Sequence, residues 1–263
     1  MSKVIAIANQ KGGVGKTTTT VNLVASLSAM RRKILMIDMD PQGNATTGLG
    51  IDKHDQNPSL TDVLLGRVPA ANILYQVPDT QISVLPGTPD LTVAEVELMQ
   101  VEQREFCLRN ALQPLQSEYD FVLIDCPPSL NMLTVNALVA ADGVVIPMQC
   151  EYYALEGLTA LINTIEEIAA SANPRLEIMG LIRTMFDPRS NLSRDVSDQL
   201  QSYFKDKLYT TSIPRNIRLA EAPSHGLPVL SYDKNSRGAL AYLALAAEML
   251  RKDSSAELGE AAW

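Results

Sequence analysis

Two lysines, three glycines and two threonines crowd into ten residues near the start of the chain, Asn9-Gln10-Lys11-Gly12-Gly13-Val14-Gly15-Lys16-Thr17-Thr18. That mixture suits the holding of a polyphosphate. Glycines let backbone N–H groups converge on an anion, and a helix N-terminus adds partial positive charge. Lys16 would neutralise β and γ phosphates, and the Thr17 hydroxyl would hold Mg²⁺. Gly12, Gly13, Val14, Gly15, Lys16, Thr17 and Thr18 are therefore candidate phosphate contacts. The spacing departs from the usual phosphate loop, which wants glycine where Gln10 stands. It also carries a second lysine, Lys11, just ahead of the glycine pair.

Such a loop needs a strand before it and a helix after it, and both are written in the sequence. Val4-Ile5-Ala6-Ile7-Ala8 is an apolar run short enough for a buried strand. From Thr19 to Met30, Val21, Leu23, Val24 and Leu27 recur at helical spacing. Two further strands deliver carboxylates. Ile34-Leu35-Met36-Ile37-Asp38-Met39-Asp40 runs into a proline–glycine turn, and Asp38 and Asp40 fall on one side of an extended chain. Phe121-Val122-Leu123-Ile124-Asp125 ends in a single aspartate. In phosphate-loop proteins an aspartate in that place helps hold Mg²⁺, and ligands of parallel sheets sit at the carboxyl ends of strands.

These segments resemble the ParA/MinD ATPase family, with its deviant phosphate loop. The likeness rests on Lys-Gly-Gly-x-Gly-Lys-Thr-Thr from Lys11, Asp-Met-Asp-Pro-Gln-Gly-Asn from Asp38, Asp-Cys-Pro-Pro-Ser from Asp125 and the run Gln149 to Gly157. The last of these, with Arg218-Leu219-Ala220-Glu221-Ala222-Pro223-Ser224-His225-Gly226, matches the chromosomal ParA/Soj subgroup, and the resemblance covers essentially residues 1–250. It implies a slow ATPase using ATP and Mg²⁺. Lys11 would reach across a homodimer to the nucleotide of the other subunit. Asp40 would orient the attacking water, Asp38 would assist near the metal, and Pro214 and Asn216 would flank the base. Arg189 and Arg218 would contact double-stranded DNA without sequence specificity. A ParB-like centromere-binding partner would stimulate hydrolysis, and the protein would be cytoplasmic and nucleoid-associated. The alternative within the superfamily is a MinD-like membrane ATPase. It needs a basic amphipathic C-terminal helix, whereas Lys252 to Glu260 is acidic and polar.

Composition sets the bounds. The 263 residues are 46% hydrophobic, enough for a real core, and no run approaches the roughly 18 apolar residues of a membrane span. The first strand begins almost at once, which predicts no signal peptide. Cys107, Cys126 and Cys150 are odd in number and widely spaced, which suits reduced thiols rather than disulfides or zinc. A net charge of −8 argues against a general nucleic-acid coat, yet Arg183 to Arg237 holds nine Lys/Arg against six Asp/Glu. A basic face on an acidic body and a mixed solvated surface both fit that count.

The remaining elements alternate. Ser59 to Asp62 reads as a helix start, with Gly66 as the stop; a strand spans 82–85; an amphipathic outer helix is predicted over 91–116. Helices over 134–141, 155–171 and 192–207 interleave with strands over 144–148, 176–184 and 209–213. The pattern predicts an α/β, phosphate-loop-type fold: one domain over 1–252, with a mainly parallel twisted sheet covered by helices on both faces. Residues 253–263 read as a disordered tail.

Overall fold

The computed structural model describes residues 2–152 and 154–260. In chain order, β1 (Lys3–Ile7) leads through the glycine-rich loop into α1 (Lys16–Ala29), then β2 (Ile34–Asp38), α2 (Asn44–Gly48) and α3 (Leu60–Leu64). Next come β3 (Tyr75–Gln76), β4 (Ile82–Leu85), α4 (Leu91–Leu98), α5 (Cys107–Leu112), β5 (Phe121–Asp125) and α6 (Met132–Ala140). The last part is β6 (Gly143–Gln149), α7 (Ala154–Ser171), β7 (Glu177–Thr184), α8 (Asn191–Phe204), α9 (Ile217–Glu221), α10 (Val229–Tyr232) and α11 (Arg237–Glu260).

The strands form a seven-stranded sheet in the order β3-β4-β2-β5-β1-β6-β7. Every pairing is parallel except the short β3 against β4. β2, β5 and β1 are therefore adjacent, and their carboxyl ends are level: Asp38 is opposite Asp125, and Asp125 is opposite Ile7. The two aspartates and the loop after Ile7 share one edge of the sheet because of that register.

Alternation along the strands builds a core on each face. Val4, Ala6, Leu35 and Ile37 join one buried cluster with Leu98, Leu112, Leu138 and Leu161, so α4 to α7 pack there. Ile5, Ile7, Ile34 and Met36 join the other with Leu23, Leu27, Tyr242 and Leu245 of α1 and α11. With both faces covered, the central strands are apolar at consecutive positions, as buried parallel strands are. The predicted start of α3 is also present: the Asp62 carboxylate accepts from the Ser59 N–H at 3.1 Å.

Three expectations change. The single helix over 91–116 is two short ones. Gln103 breaks it with a left-handed backbone, φ 53°, and the Asn136 side chain satisfies the Leu108 N–H that a continuous helix would have used. No regular strand forms over 209–213; isolated bridges flank it, Leu181 with Leu208 and Phe186 with Pro214, and its end residues Tyr209 and Ile213 donate to the carbonyls of Leu181 and Arg183. Between those ends side chains have taken the ladder's backbone groups. Arg183 donates to the carbonyls of Tyr209 and Thr210, and Glu248 accepts from the N–H groups of Thr210 and Thr211. Finally, α11 runs to Glu260, past the predicted tail boundary at Asp253, whose carboxylate pairs with Lys3. Residues 261–263 of that predicted tail lie outside the described residues.

Candidate functional site

The glycine-rich loop is held by its carbonyls. Lys16 Nζ donates to Lys11 O at 3.2 Å, Gln149 Nε2 to Gly13 O at 3.1 Å, and Thr184 Oγ1 to Val14 O at 2.7 Å. A planar peptide that turns its carbonyl one way turns the following N–H the other way. Three carbonyls pinned to protein donors therefore fix the orientation of the N–H groups that follow them. Gly13 and Gly15 have φ of 74° and 87°, a conformation that costs glycine little. A side-chain carbon at Gly12 or Gly13 would meet nothing within 4 Å, so the space over the loop is open. Gln10 Nε2 is buried there without a hydrogen-bond partner, a donor left over for an acceptor.

Lys16 is 7% exposed, and burial lowers its pKa against the opposing pull of Asp125, Cys126 and Asp40. A buried ammonium whose hydrogen bond in the structure goes to one carbonyl is suited to receive an anion. Asp125 is fully buried and accepts from Thr17 Oγ1 at 2.8 Å and Thr20 Oγ1 at 2.7 Å. Burial raises its pKa, with the negative charges of Asp38 and Asp40 adding to the rise. A cation beside Thr17 would reverse that pressure. No group of three or more His, Cys, Asp or Glu gathers at a metal-binding geometry among the described residues. One hydroxyl beside one carboxylate, Thr17 and Asp125, is a donor set that suits Mg²⁺, which is held by one or two carboxylates together with substrate phosphates and water. Thr17 and Asp125 would hold it.

Asp38 is also fully buried, and burial raises its pKa. Its oxygens are taken by the Thr46 N–H and hydroxyl, both at 2.8 Å, and by the Asp40 N–H at 3.2 Å. Asp38 thus braces the loop carrying Asp40. Thr46 in turn accepts from the Gly87 N–H at 2.8 Å, and a side-chain carbon at Gly87 would lie 2.5 Å from Asp38 O. Asp40 is 9% exposed and accepts from the Gln42 N–H at 2.9 Å.

Lys11 faces away from Lys16. Its ammonium meets Glu151 at 2.6 Å, with both side chains partly exposed. Pro214 and Asn216 line a cavity of about 490 Å³ that opens beside Gly15 and Thr18. Asn216 also caps α9, its Oδ1 accepting from the Arg218 N–H at 3.0 Å, so its Nδ2 is the donor left for a base. Arg189 lies in the loop after β7 and Arg218 in α9, and the Phe186–Pro214 bridge joins the stretches that lead to them. Neither is free: Arg189 is bound twice by Asp187, and Arg218 pairs with Glu221 at 2.7 Å and Asp233 at 3.3 Å.

The structure therefore brings Lys16, Thr17, Asp38, Asp40 and Asp125 together, sets Lys11 on the rim and leaves both arginines outside. Sequence reasoning missed Thr20, Thr46, Gly87, Gln149 and Thr184. Their types are ordinary, and only the strand order shows that they converge. The one available signal was position, since Gln149 and Thr184 each end a strand on the site's edge.

A loop of this kind after β1, with one aspartate ending the neighbouring β5 and another ending β2 beyond it, defines a phosphate-loop nucleotide-binding α/β protein. The comparisons narrow the class. A family model described as an AAA domain matches residues 2–178. The chain is 49% identical over 254 residues to the chromosome partitioning protein ParA of Myxococcus xanthus, covering 97% of this chain and 90% of that protein. It is 51% identical over 249 residues to the sporulation initiation inhibitor protein Soj of Bacillus subtilis, covering 95% and 98%. The structure of a cobyrinic acid a,c-diamide synthase from Mycobacterium smegmatis with bound ADP and magnesium superposes with a TM-score of 0.85 at 37% identity, covering 97% of each chain. The chain belongs to the ParA/Soj family of chromosome-partitioning ATPases.

Proposed function

We propose that this chain is an ATP-switched DNA-segregation ATPase. ATP and Mg²⁺ bind at the loop, two protomers close on two nucleotides, and the dimer grips double-stranded DNA without sequence preference. Hydrolysis, stimulated by a ParB-like centromere-binding partner, releases it. Each cycle would move a chromosome or plasmid across the nucleoid, with no membrane involved.

The observation that carries this reading is the divergence of two lysines five residues apart. Lys16 turns into the buried site and Lys11 turns out to an exposed carboxylate. A lysine not spent on its own loop is available to a second subunit's phosphates. Within one protomer, Lys16 and the loop N–H groups hold β and γ phosphates, and Thr17 and Asp125 place the metal, which would neutralise developing charge. Asp40, braced through Asp38 and Thr46, orients water for attack. Pro214 and Asn216 flank the base. Arg189 and Arg218 would exchange exposed carboxylate partners for DNA phosphates, and dimerisation doubles those contacts.

Retention on a DNA-coated surface tests the proposal. With ATP and Mg²⁺, Asp40→Ala should be retained longer than the unaltered protein, because it binds nucleotide without consuming it. Arg218→Glu should not be retained. Equal retention with and without nucleotide would sink the reading.

A further inference from the structure

One side chain, assigned no part in base recognition above, bonds both the glycine-rich loop and a residue of the cavity wall. Gln149, the last residue of β6, uses Nε2 for two acceptors, Gly13 O at 3.1 Å and Met185 Sδ at 2.8 Å. Met185 follows β7 and has φ of 50°, a left-handed conformation that long side chains adopt rarely. Strain of this kind persists only where the surroundings impose it, and it clusters at ligand sites. Its neighbours on both sides impose it here. Thr184 is fastened to Val14 O, and the Phe186 N–H to Ile213 O. The turn puts Met185, 42% exposed, on the cavity wall with Gly15, Thr18, Pro214 and Asn216. A polarizable thioether in that place suits the face or edge of an aromatic ring.

We infer that Met185 is a base-contacting residue that favours a purine, and that Gln149 is a positioning residue tying the seated base to the phosphate loop. The inference rests on the nucleotide reading above. A two-ring base covers the thioether and holds Sδ where Gln149 bonds it. Gln149 then holds the Gly13 carbonyl outward, which turns the Val14 N–H the opposite way. A pyrimidine covers less of Met185 and steadies the link less.

The test is binding of ATP, CTP and inorganic tripolyphosphate, each with Mg²⁺, by calorimetry on the full chain. In Met185→Ala, ATP affinity should fall roughly three- to tenfold. CTP affinity should fall less, and tripolyphosphate affinity should not change. Gln149→Ala should weaken all three ligands, ATP most. Met185→Gly, which relieves the backbone, should keep the melting temperature at or above that of the unaltered protein while losing ATP affinity, a split that a merely structural role would not give. Equal losses for ATP and CTP in Met185→Ala, or any loss for tripolyphosphate there, would overturn the inference. Failure of the unaltered protein to bind ATP would overturn the nucleotide reading itself.

Discussion

At the phosphate site, Lys16, Asp38, Asp40 and Asp125 are all less than a tenth exposed. At the loops around β7 and α9, the Arg189 side chain is 88% exposed and that of Arg218 46%. The first set is held by hydrogen bonds from within the fold: Asp125 by two threonine hydroxyls of α1, Asp38 by Thr46. The second set is held by carboxylates whose own side chains are more than a third exposed, Asp187 41%, Glu221 36% and Asp233 36%. Burial makes a charge expensive unless it is paired, and it fixes geometry. Exposure makes a pair cheap to exchange. The contrast suits a protein that does chemistry at one place and grips and releases at another.

The largest effect should come from the buried side. Lys16→Ala should lower phosphate release by at least about 10²–10³-fold, and Asp40→Ala by about 10²–10⁴-fold with ATP binding retained. Steady-state phosphate release and equilibrium nucleotide binding check both. A mild effect of Lys16→Ala would break the contrast by showing that the buried charge is replaceable.

Charge reversal at Arg218 should come next. Arg218→Glu should reduce ATP-dependent DNA affinity at least tenfold, roughly uniformly across sequences and with a shallower salt dependence. Phosphate release without DNA should stay within about twofold of the unaltered protein. A titration of DNA at several salt concentrations reads both.

The legibility of the sequence follows the same division. β1, β2 and β5 stand out because each is apolar at consecutive positions and ends in loop glycines or aspartate, and the site they carry could be named from Lys16, Thr17, Asp38, Asp40 and Asp125. What supports those residues was hidden. Thr46 and Gly87 are 41 residues apart and meet only because β2 and β4 pair. The segment 209–213 looked like a strand by composition, but Arg183 and Glu248, distant in sequence, claim its backbone. The arginines were visible as charge, while the acids that pair with them were visible only as part of the same count.

Glu248 gives a smaller, sharper test on the buried side. It is 6% exposed and caps the Thr210 and Thr211 N–H groups. Burial pushes its pKa up, but those hydrogen bonds and Lys252 outweigh it, leaving the carboxyl below its usual 4.5. A depressed value in the folded protein means stability that is fully present above pH 4.5 and is lost as pH falls through the folded value. Glu248→Gln should cost about 1–3 kcal/mol at neutral pH and flatten the stability profile below pH 4.5. Urea melts across that range measure it.

The smallest effect should be at Asp187, whose carboxyl the Arg189 guanidinium holds down near pH 2. Asp187→Asn frees Arg189. DNA affinity should then rise a few-fold, roughly two- to fivefold, with no change in melting temperature beyond about 1 °C. A fall in affinity would mean that the pair orients Arg189 rather than merely occupying it.

The proposed closing of two subunits on nucleotide would join the two regions, bringing Lys11 of each to the other's phosphates and doubling the arginines that meet DNA. Light scattering of Asp40→Ala with ATP and Mg²⁺, beside the same protein with ADP, tests it most directly. The account predicts twice the monomer mass with ATP and the monomer mass with ADP, and the doubling should vanish in Asp40→Ala carrying Lys11→Ala. A monomer mass under every condition would contradict it.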